Sequence, residues 1–541
     1  MKRGHRLDHG VTAWQTSASL LPLGRRDMLA LGCALVAGRG VLASVNARSV
    51  RFGMTVVPTS CDPHFHNLTA NNGPLSQIFE PIVLENEVGD LEPRLAQSWR
   101  LLTPTTWEFE LRRDVRFHDG TPFTARDVVE SYARVPTVPN SPGLLTIYLS
   151  AIDSVVAVDD HRLRIETRGP APFLLRQLAQ VLIIKAAAKT SGTGDFNSGA
   201  AAIGTGPYRF SRYAPGEVFE CVANDGWWGG AVPWHRVSMR QISAGSARTT
   251  ALLAGDVDII EQIPFANLSM LTRDPEVRIF PSRPSTTYYL ALDTVRDESP
   301  FARAANGGNP LRDVRVRRAL SLAIDRRALA ERVLDGKGIA AGQFAAPGLE
   351  GSDPSIGEPE FDPGRARALL VEAGVAEGFS LTLHGTQGWL PQDHAVLQAI
   401  VQFWRRIGIQ AELETLPVST YLARATRREF SAIFGGTNGS YAAHHLRQMI
   451  MTRNIERGEG TVNRFLYSNP RVDAAMREAF TTMEADARNR LLGEAARLAL
   501  ADYAMLPIVF VGSQWASRKS VATYRAHIGA RTIATLAEPA G

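Results

Sequence analysis

Cysteine is nearly absent from this sequence of 541 residues, which contains only Cys33, Cys61 and Cys221. Three thiols cannot form the dense disulfide framework that stabilises small secreted domains. Cys61 and Cys221 could pair only if the fold brought their Cα atoms within about 7 Å, and their spacing alone does not require that. We therefore expect two independent, buried thiols.

Long apolar runs are missing as well. The stretch Met28–Gly38 is too short to cross about 30 Å of hydrocarbon at about 1.5 Å per residue, and no later segment is long and apolar enough to do so. The sequence therefore predicts that the mature protein is soluble.

The common catalytic motifs do not occur. We find no GxSxG nucleophile elbow, no HExxH zinc pair, no GxxxxGK[ST] phosphate loop and no CxxC pair. These absences leave an enzyme with little support, and we expect no catalytic residue, no bound metal and no cofactor.

Most of the net charge lies at the beginning of the chain. Six basic and two acidic residues before residue 48 account for +4 of the formal net charge of +5. The rest of the chain is close to neutral, so it offers no electrostatic basis for binding nucleic acid or an anionic membrane.

The basic segment resembles an export signal. Arg25-Arg26 precede the apolar stretch Met28–Gly38, and the small residues of Val45-Asn46-Ala47 suit a signal peptidase. We interpret residues 1–47 as a twin-arginine signal that directs the protein to the periplasm. An ordinary tail, a general secretory signal, or a lipoprotein site at Cys33 are the alternatives.

Between Leu91 and Ala133 the sequence has short β-strand patterns and one helix. Alternating apolar residues predict a strand over Trp107–Leu111 and a second over Val115–Phe117, which would end at an Asp-Gly turn. Thr124 and Asp127 have the spacing of a capping box and predict a helix that begins after Thr124. Leu163–Thr167 alternates again and predicts another strand.

The second half of the chain has longer patterns. Helical periodicity spans Arg312–Gly336, and Asp362-Pro363 begins a helix that ends at Gly374. A strand from Ser380, a helix through Trp404 and a strand through Leu413 form a βαβ unit with parallel strands.

A further strand is predicted over Glu429–Phe434, ending at Gly435-Gly436. Ligands of open α/β sheets bind beyond the carboxyl ends of the strands. The loops Gly385–Trp389 and Gly435–Tyr441 are therefore expected to face one cleft.

A series of short motifs occurs in order along the chain after the leader. They are Cys61–His64, Leu91–Ala96 with Trp99, Trp107–Arg112, Val115–Val129, Gly204–Tyr208, Leu252–Asp258, Val316–Leu320, Ala323–Asp325 and Tyr467–Pro470. In this order and spacing they resemble the family 5 extracellular solute-binding proteins, which include dipeptide-, oligopeptide-, opine- and nickel-binding receptors of ABC importers.

The resemblance implies an α/β, two-lobed periplasmic binding protein fold of type II, similar to cluster C, with a hinge between the lobes. It implies lobe I over 48–285 with an inserted α+β subdomain at about 77–180, lobe II over 286–508, and a return to lobe I over 509–541. The lobes would be joined near Tyr288-Tyr289 and Leu506-Pro507 and would close around the ligand. The expected partner is an ABC permease, and the protein is expected to be a monomer.

Peptide-binding relatives commonly have a Trp and an Asp in the loop that corresponds to Phe434–Tyr441, and the Asp pairs with the amino terminus of the peptide. This chain has neither residue there. A buried ammonium group without a carboxylate partner is costly, so recognition of a free amino terminus is in doubt. The candidate ligand-binding residues are His64, His66, Trp389, Thr437, Asn438 and Tyr441.

The class of ligand stays open between peptide-like and opine-like solutes. A nickel or metal chelate is an alternative because His444-His445 are adjacent, although neighbouring helical residues point about 100° apart and cannot both face one ion. A binding role outside transport, similar to that of a chaperone, is a further alternative.

Overall fold

The computed structural model of the protein describes residues 48–143, 145–305 and 307–540. The predicted export signal at 1–47, with Arg25, Arg26 and Cys33, lies outside the described residues. In the described part of the chain, no helix is long and apolar enough to span a membrane.

The strands, in chain order, are β1 Ser49–Met54, β2 Val83–Glu85, β3 Leu91–Pro93, β4 Ala96–Thr103, β5 Thr106–Leu111, β6 Ile152–Asp159, β7 Arg162–Thr167, β8 Tyr208–Ala214, β9 Val218–Ala223, β10 Arg236–Gln241, β11 Ile259–Glu261, β12 Val277–Pro281, β13 Thr286–Leu292, β14 Ala302–Ala304, β15 Gly338–Ala340, β16 Phe379–Thr386, β17 Gln410–Leu416, β18 Ala432–Asn438, β19 Met505–Val511, β20 Gln514–Arg518, β21 Val521–Tyr524 and β22 Ala537–Pro539.

The α-helices are α1 Thr69–Leu75, α2 Ala125–Arg134, α3 Leu174–Leu178, α4 Thr193–Asn197, α5 Gly245–Ala254, α6 Phe265–Arg273, α7 Val314–Leu322, α8 Arg326–Ala328, α9 Pro363–Glu372, α10 Asp393–Arg406, α11 Val418–Thr426, α12 Ala442–Met449, α13 Pro470–Ala479 and α14 Ala485–Ala501.

Two seven-stranded sheets form the centres of the two lobes. The sheet of lobe I has the order β12-β20-β11-β1-β10-β9-β8. The sheet of lobe II has the order β14-β16-β18-β13-β19-β15, and β17 also pairs with β16. The predicted α/β, two-lobed fold is therefore confirmed.

The predicted βαβ unit is also present. β16 and β17 are parallel over their whole length, from Ser380 opposite Gln410 to Thr386 opposite Leu416. α10 connects them and buries Val396, Leu397 and Trp404, which are the apolar positions of the helical pattern. The 3.6-residue period therefore identified the face of the helix that packs on the sheet.

The four-stranded sheet β4-β5-β7-β6 forms a separate layer within residues 96–167. The strand over Trp107–Leu111 and the helix after Thr124 are confirmed, and the Asp127 side chain accepts a hydrogen bond from the Thr124 N–H at 2.8 Å. The prediction of a strand over Val115–Phe117 was wrong. β5 already has β4 and β7 as neighbours, and this stretch makes only the isolated bridge between Arg116 and Pro122.

Two other sequence predictions had inaccurate bounds. The pattern over Arg312–Gly336 does not form one helix, because α7 ends at Leu322 and Asp325 caps a new turn by accepting from the Ala328 N–H at 2.8 Å. The strand predicted over Glu429–Phe434 is β18, which runs on through Gly435 and Gly436. β13 pairs with it along that whole length, and a Cβ at Gly435 would lie 2.6 Å from the Tyr289 hydroxyl.

The chain passes from the first sheet to the second between β12 and β13, and returns between β19 and β20. The two passages bond to each other, since the Ser282 N–H donates to the Ser513 carbonyl at 2.9 Å and the Ser513 N–H donates to Ser282 Oγ at 3.0 Å. They approach so closely that a Cβ at Gly512 would lie 2.4 Å from the Ser282 carbonyl oxygen.

The crossing was predicted a few residues away from its actual position. Tyr288-Tyr289 and Leu506-Pro507 do pair with each other, but they lie buried inside the sheet of lobe II. Apolar patterning marked the buried strands, whereas the crossing itself has no apolar pattern: it consists of Ser-Arg-Pro-Ser over 282–285 and Gly-Ser over 512–513.

Cys61 and Cys221 are both buried and both free, as expected. Burial in the apolar core of lobe I raises the pKa of the Cys61 thiol to about 12. Both side chains therefore act as small core residues.

Five buried or half-buried histidines predict that the fold is sensitive to acid. Burial lowers the pKa of His64, His118 and His444 to about 4, and of His445 and His527 to about 3. The unfolded chain, with a histidine pKa of about 6.5, takes up protons first as the pH falls. Stability is therefore complete above pH ~6.5 and declines toward pH 4, by up to about 1.4 kcal/mol per pH unit for each such histidine.

We expect the melting temperature and the urea midpoint to fall steadily from pH 7 to pH 5. The control is His235→Gln, because His235 is exposed and should leave this slope unchanged. A melting temperature that stays constant down to pH 5 would show that the buried histidines do not control stability.

Candidate functional site

A cavity of about 740 Å³ lies beside the crossing between the lobes. We call it the hinge cavity. Its walls come from lobe I at Thr55 and residues 262–266, from lobe II at residues 387–395 and Asn438, and from the crossing at residues 511–514. The loop at Trp389 and the loop at Asn438 face this one cavity, as the sequence predicted.

Three residues that line the hinge cavity have strained backbones. Gln262, Gln392 and Ala530 adopt left-handed φ angles of 48°, 56° and 55°. Such conformations cost about 1–3 kcal/mol for residues other than glycine and cluster at ligand-binding sites. Three of the eight residues other than glycine that have such φ angles in the described part of the chain therefore line this cavity.

Asp393 holds the loop that carries Trp389. Its carboxylate is 2% exposed and accepts hydrogen bonds from the Thr386 hydroxyl at 2.7 Å and from the N–H groups of Gly388 and Trp389 at 2.8 and 3.0 Å. The Trp389 side chain remains 36% exposed and lines the cavity. A fixed, flat apolar surface is suited to stacking against a ligand.

Gln514 was missed by sequence reasoning. It begins β20 immediately after the crossing, is 6% exposed and lines the hinge cavity. Its Oε1 has no hydrogen-bond partner among residues 48–143, 145–305 and 307–540. A buried carbonyl oxygen without a partner costs about 1–3 kcal/mol, which a ligand N–H could recover. A single glutamine in an apolar strand gave no signal in the sequence.

Asn438 connects the hinge cavity to a second space. Its side-chain amide donates to Ser285 Oγ at 2.8 Å and to Thr286 Oγ1 at 3.0 Å. Asn438 and Thr69 line both the hinge cavity and a space of about 230 Å³, which we call the side pocket.

The side pocket contains charged groups that the sequence analysis did not select. Arg176, Glu85 and Arg531 line it together with Ser440 and Tyr441. Arg176 pairs with Glu85 at 3.1 Å, and the Ser440 hydroxyl donates to the same carboxylate. These residues are distant in sequence, so no local motif could identify them.

Tyr441 lines the side pocket, but its ring packs mainly against other side chains of the protein. Its ring stacks on Phe173 at a centroid distance of 5.5 Å, and the Arg176 guanidinium lies 5.1 Å from the ring centre. Thr437 is buried and donates to Gln448 Oε1 at 2.9 Å, and it lines neither the hinge cavity nor the side pocket.

The structure places His64 away from the cleft. It is 1% exposed, its Nε2 donates to the Leu182 carbonyl at 2.8 Å, and its Nδ1 accepts from Arg134 at 3.2 Å. Arg134 also pairs with the buried Asp62 at 2.7 Å. His64 therefore belongs to a buried polar network in lobe I rather than to either cavity, because the loop turns inward after β1.

His66 is half-buried, and its Nδ1 lies 3.1 Å from Thr59 Oγ1. It lines neither cavity, although its neighbour Asn67 lines the side pocket. The two candidate histidines therefore do not face one site, since the ring of His64 is buried in the core and that of His66 is not.

The two adjacent histidines of α12 do not form a metal site. The rings of His444 and His445 are 6.2 Å apart and nearly perpendicular, and His445 Nε2 donates to the Gly439 carbonyl. Within the ranges that the structure covers, no group of three or more His, Cys, Asp or Glu side chains could hold a metal ion.

A third space widens the cleft at its outer end. This outer cavity, of about 1050 Å³, lies between Phe173 in the inserted subdomain and Arg447 and Phe480 in lobe II. It shares Asn67 with the side pocket. The three cavities are therefore neighbours along the cleft, starting at the crossing.

Known proteins share this architecture. The chain is 27% identical to heme-binding protein A of Haemophilus influenzae, over 79% of this chain and 80% of that protein. It is 26% identical to the periplasmic murein peptide-binding protein MppA of Escherichia coli, over 80% and 82%. The structure of NikA from Brucella suis in complex with Fe(III)-EDTA superimposes with a TM-score of 0.78 at 22% identity, covering 91% of this chain and 100% of that one.

The sequence profile that describes the bacterial extracellular solute-binding proteins, family 5 Middle, matches residues 90–451. This match covers most of the chain and includes residues 262–266 and 387–395 of the hinge cavity. The chain therefore belongs to the family 5 bacterial extracellular solute-binding proteins.

Proposed function

We propose that this protein is the periplasmic receptor of an ABC importer and that it captures a peptide-like solute by closing its two lobes. The carrying observation is the hinge cavity, which lies beside the only two passages between the central sheets in the described part of the chain. Rotation about such a crossing brings the two walls together around a ligand. We propose 48–285 with 509–541, and 286–508, as the moving bodies.

The chemistry of the hinge cavity supports a peptide-like ligand. Trp389 provides an apolar wall, while Gln514 and Asn438 provide neutral hydrogen-bonding groups suited to amide N–H and C=O. The relative MppA is named for binding murein peptides. The neighbouring side pocket and outer cavity support a ligand larger than the hinge cavity alone would hold.

Binding without catalysis is the proposal for this site. Asp393, the buried carboxylate of the hinge cavity, is occupied by hydrogen bonds from its own loop. Such a carboxylate positions the loop and is not free to act as a general base. A nickel or metal-chelate receptor is not favoured, given the orientation of His444 and His445.

The proposed partners are a small peptide-like ligand and an ABC permease in the inner membrane, with the receptor acting as a monomer. The near-neutral chain after residue 47 supports no nucleic-acid partner.

The test is native mass spectrometry of the mature protein purified from its own periplasm, followed by small-angle X-ray scattering. We expect a stoichiometric adduct that is lost on denaturation, and a smaller radius of gyration when the ligand is restored. If neither the purified protein nor one exposed to dipeptide and tripeptide libraries carries an adduct, the receptor function is wrong.

We expect Gln514→Leu to weaken binding of the ligand about five- to tenfold, because it removes one hydrogen bond worth about 1 kcal/mol. The same change should leave the melting temperature of the empty protein equal or higher, because it removes a buried oxygen without a partner. Titration calorimetry and calorimetric melting measure the two effects. Gln97→Leu, at an exposed position in β4, is the control and should change neither affinity nor melting.

The export proposal predicts a specific dependence on Arg25 and Arg26. Replacing both with lysine should abolish twin-arginine export, so that the protein accumulates in the cytoplasm with residues 1–47 still attached. Cell fractionation and intact mass check this. Replacing Arg3 and Arg6 with lysine is the matched control. Unchanged export of the Arg25→Lys, Arg26→Lys variant would indicate the general secretory route.

A further inference from the structure

The side pocket contains an arginine whose charge the protein does not fully match. Three charged side chains face the pocket, namely Arg176, Arg531 and Glu85. The remaining wall is neutral, since burial lowers the pKa of His444 to about 4. The balance between the two guanidinium groups and the one carboxylate therefore determines which ligand groups the pocket can accept.

Arg176 is saturated by protein contacts. Its Nη1 donates to Glu85 at 3.1 Å and to the Gly89 carbonyl at 2.9 Å, while its Nε and Nη2 donate to Glu350 at 2.8 and 2.5 Å. With two carboxylates in contact, Arg176 has no need of a ligand.

Arg531 makes fewer hydrogen bonds to the protein than Arg176 does. Its side chain is 12% exposed, yet its one hydrogen bond to another described residue joins Nη2 to Gln180 Oε1 at 2.5 Å. Its nearest carboxylate is Glu85, at 3.8 Å, which is beyond hydrogen-bond distance. Glu85 is already bonded to Arg176 and to the Ser440 hydroxyl. The Nε and Nη1 groups of Arg531 therefore have no acceptor in the part of the chain that the structure describes.

The wider ion network confirms the excess positive charge. Arg488 also pairs with Glu350, at 3.3 Å, so that Glu350 is divided between Arg488 and Arg176. Three guanidinium groups thus share the carboxylates of Glu85 and Glu350, which leaves one positive charge over. Arg531 shares Glu85 with Arg176 at the longer distance of 3.8 Å, so its charge is incompletely neutralised. A ligand carboxylate with geometry complementary to the guanidinium group completes the pairing.

We propose that Arg531 binds a carboxylate of the ligand in the side pocket, while the rest of the ligand lies in the hinge cavity. The ligand passes between the two spaces at Thr69 and Asn438, which line both. The receptor therefore selects peptides with a free carboxyl terminus and does not require a free amino terminus. This inference rests on the proposed receptor function and adds which end of the peptide the receptor recognises.

The experiment compares two pools of mixed-sequence dipeptides and tripeptides that differ only at the carboxyl terminus, free acid against carboxamide. Native mass spectrometry identifies the bound members, and titration calorimetry measures matched pairs. We expect the wild-type protein to bind free acids at least about 30-fold more tightly than the matching amides, the scale of a charge-assisted hydrogen bond. Acetylation of the amino terminus should change affinity less than amidation.

Variants assign the preference to one side chain. Arg531→Gln should bind acid and amide with similar affinity, and Arg531→Lys should retain part of the preference. Arg525→Gln is the matched control, because Arg525 lies on the same segment, is 52% exposed and pairs with Glu87 at 3.5 Å. If Arg531→Gln does not fold, two measurements still test the proposal: the affinities of Arg531→Lys, and the comparison of acid with amide binding by the wild-type protein.

The outcomes separate the two proposals. Equal binding of acids and amides by the wild-type protein overturns the carboxylate site and leaves the receptor function intact. A free-acid preference that persists in Arg531→Gln also overturns the assignment to Arg531. Binding of neither pool by the wild-type protein contradicts the peptide receptor itself, and with it the inference.

Discussion

The hydrogen-bonded crossing between Ser282 and Ser513 is the contact on which the rest of the structure depends. Two short passages connect the central sheets, and they bond to each other through main-chain and serine groups. Because few backbone dihedrals connect the lobes at this point, the lobes can change their relative orientation without unfolding either sheet. The hinge cavity lies at this crossing, so the ligand and the hinge share residues 511–514.

Two buried polar networks in the lobes are extensively hydrogen-bonded, whereas two polar side chains at the cleft are not. Inside lobe I, Asp62, Arg134 and His64 bond to one another. In lobe II, Asp393 accepts hydrogen bonds from one hydroxyl and four main-chain N–H groups. At the cleft, Gln514 and Arg531 retain unused hydrogen-bonding capacity. Both residues belong to the C-terminal segment after the crossing, and the hydrogen-bonding groups that they leave unused line the hinge cavity and the side pocket.

The secondary structure was largely predictable where a periodic pattern coincided with burial. The βαβ unit, the capped helix after Thr124 and the strand over Trp107–Leu111 follow from side-chain periodicity alone. The errors arose where pairing with neighbouring strands determines whether a segment forms a strand and where that strand ends. Val115–Phe117 alternates like a strand but does not join the sheet next to β5, whose two edges pair with β4 and β7. β18 extends through Gly435 and Gly436 because β13 pairs with it. Of the predicted site residues, Trp389 and Asn438 line the hinge cavity, Tyr441 lines the side pocket, and His64, His66 and Thr437 line neither.

The sequence by itself determined the order of helices and strands, the family and the loops that face the cleft, because these depend on local periodicity and on motifs in fixed order. Only the tertiary structure decided which polar side chains are available to a ligand. Gln180 and Arg531 are 351 positions apart, yet they form a hydrogen bond. Together with the bond between Arg176 and Glu85, this bond determines which groups of Arg531 stay available to a ligand. Whether a charged side chain is neutralised depends on ion-pair partners that only folding brings close. Local sequence patterns therefore cannot identify those partners.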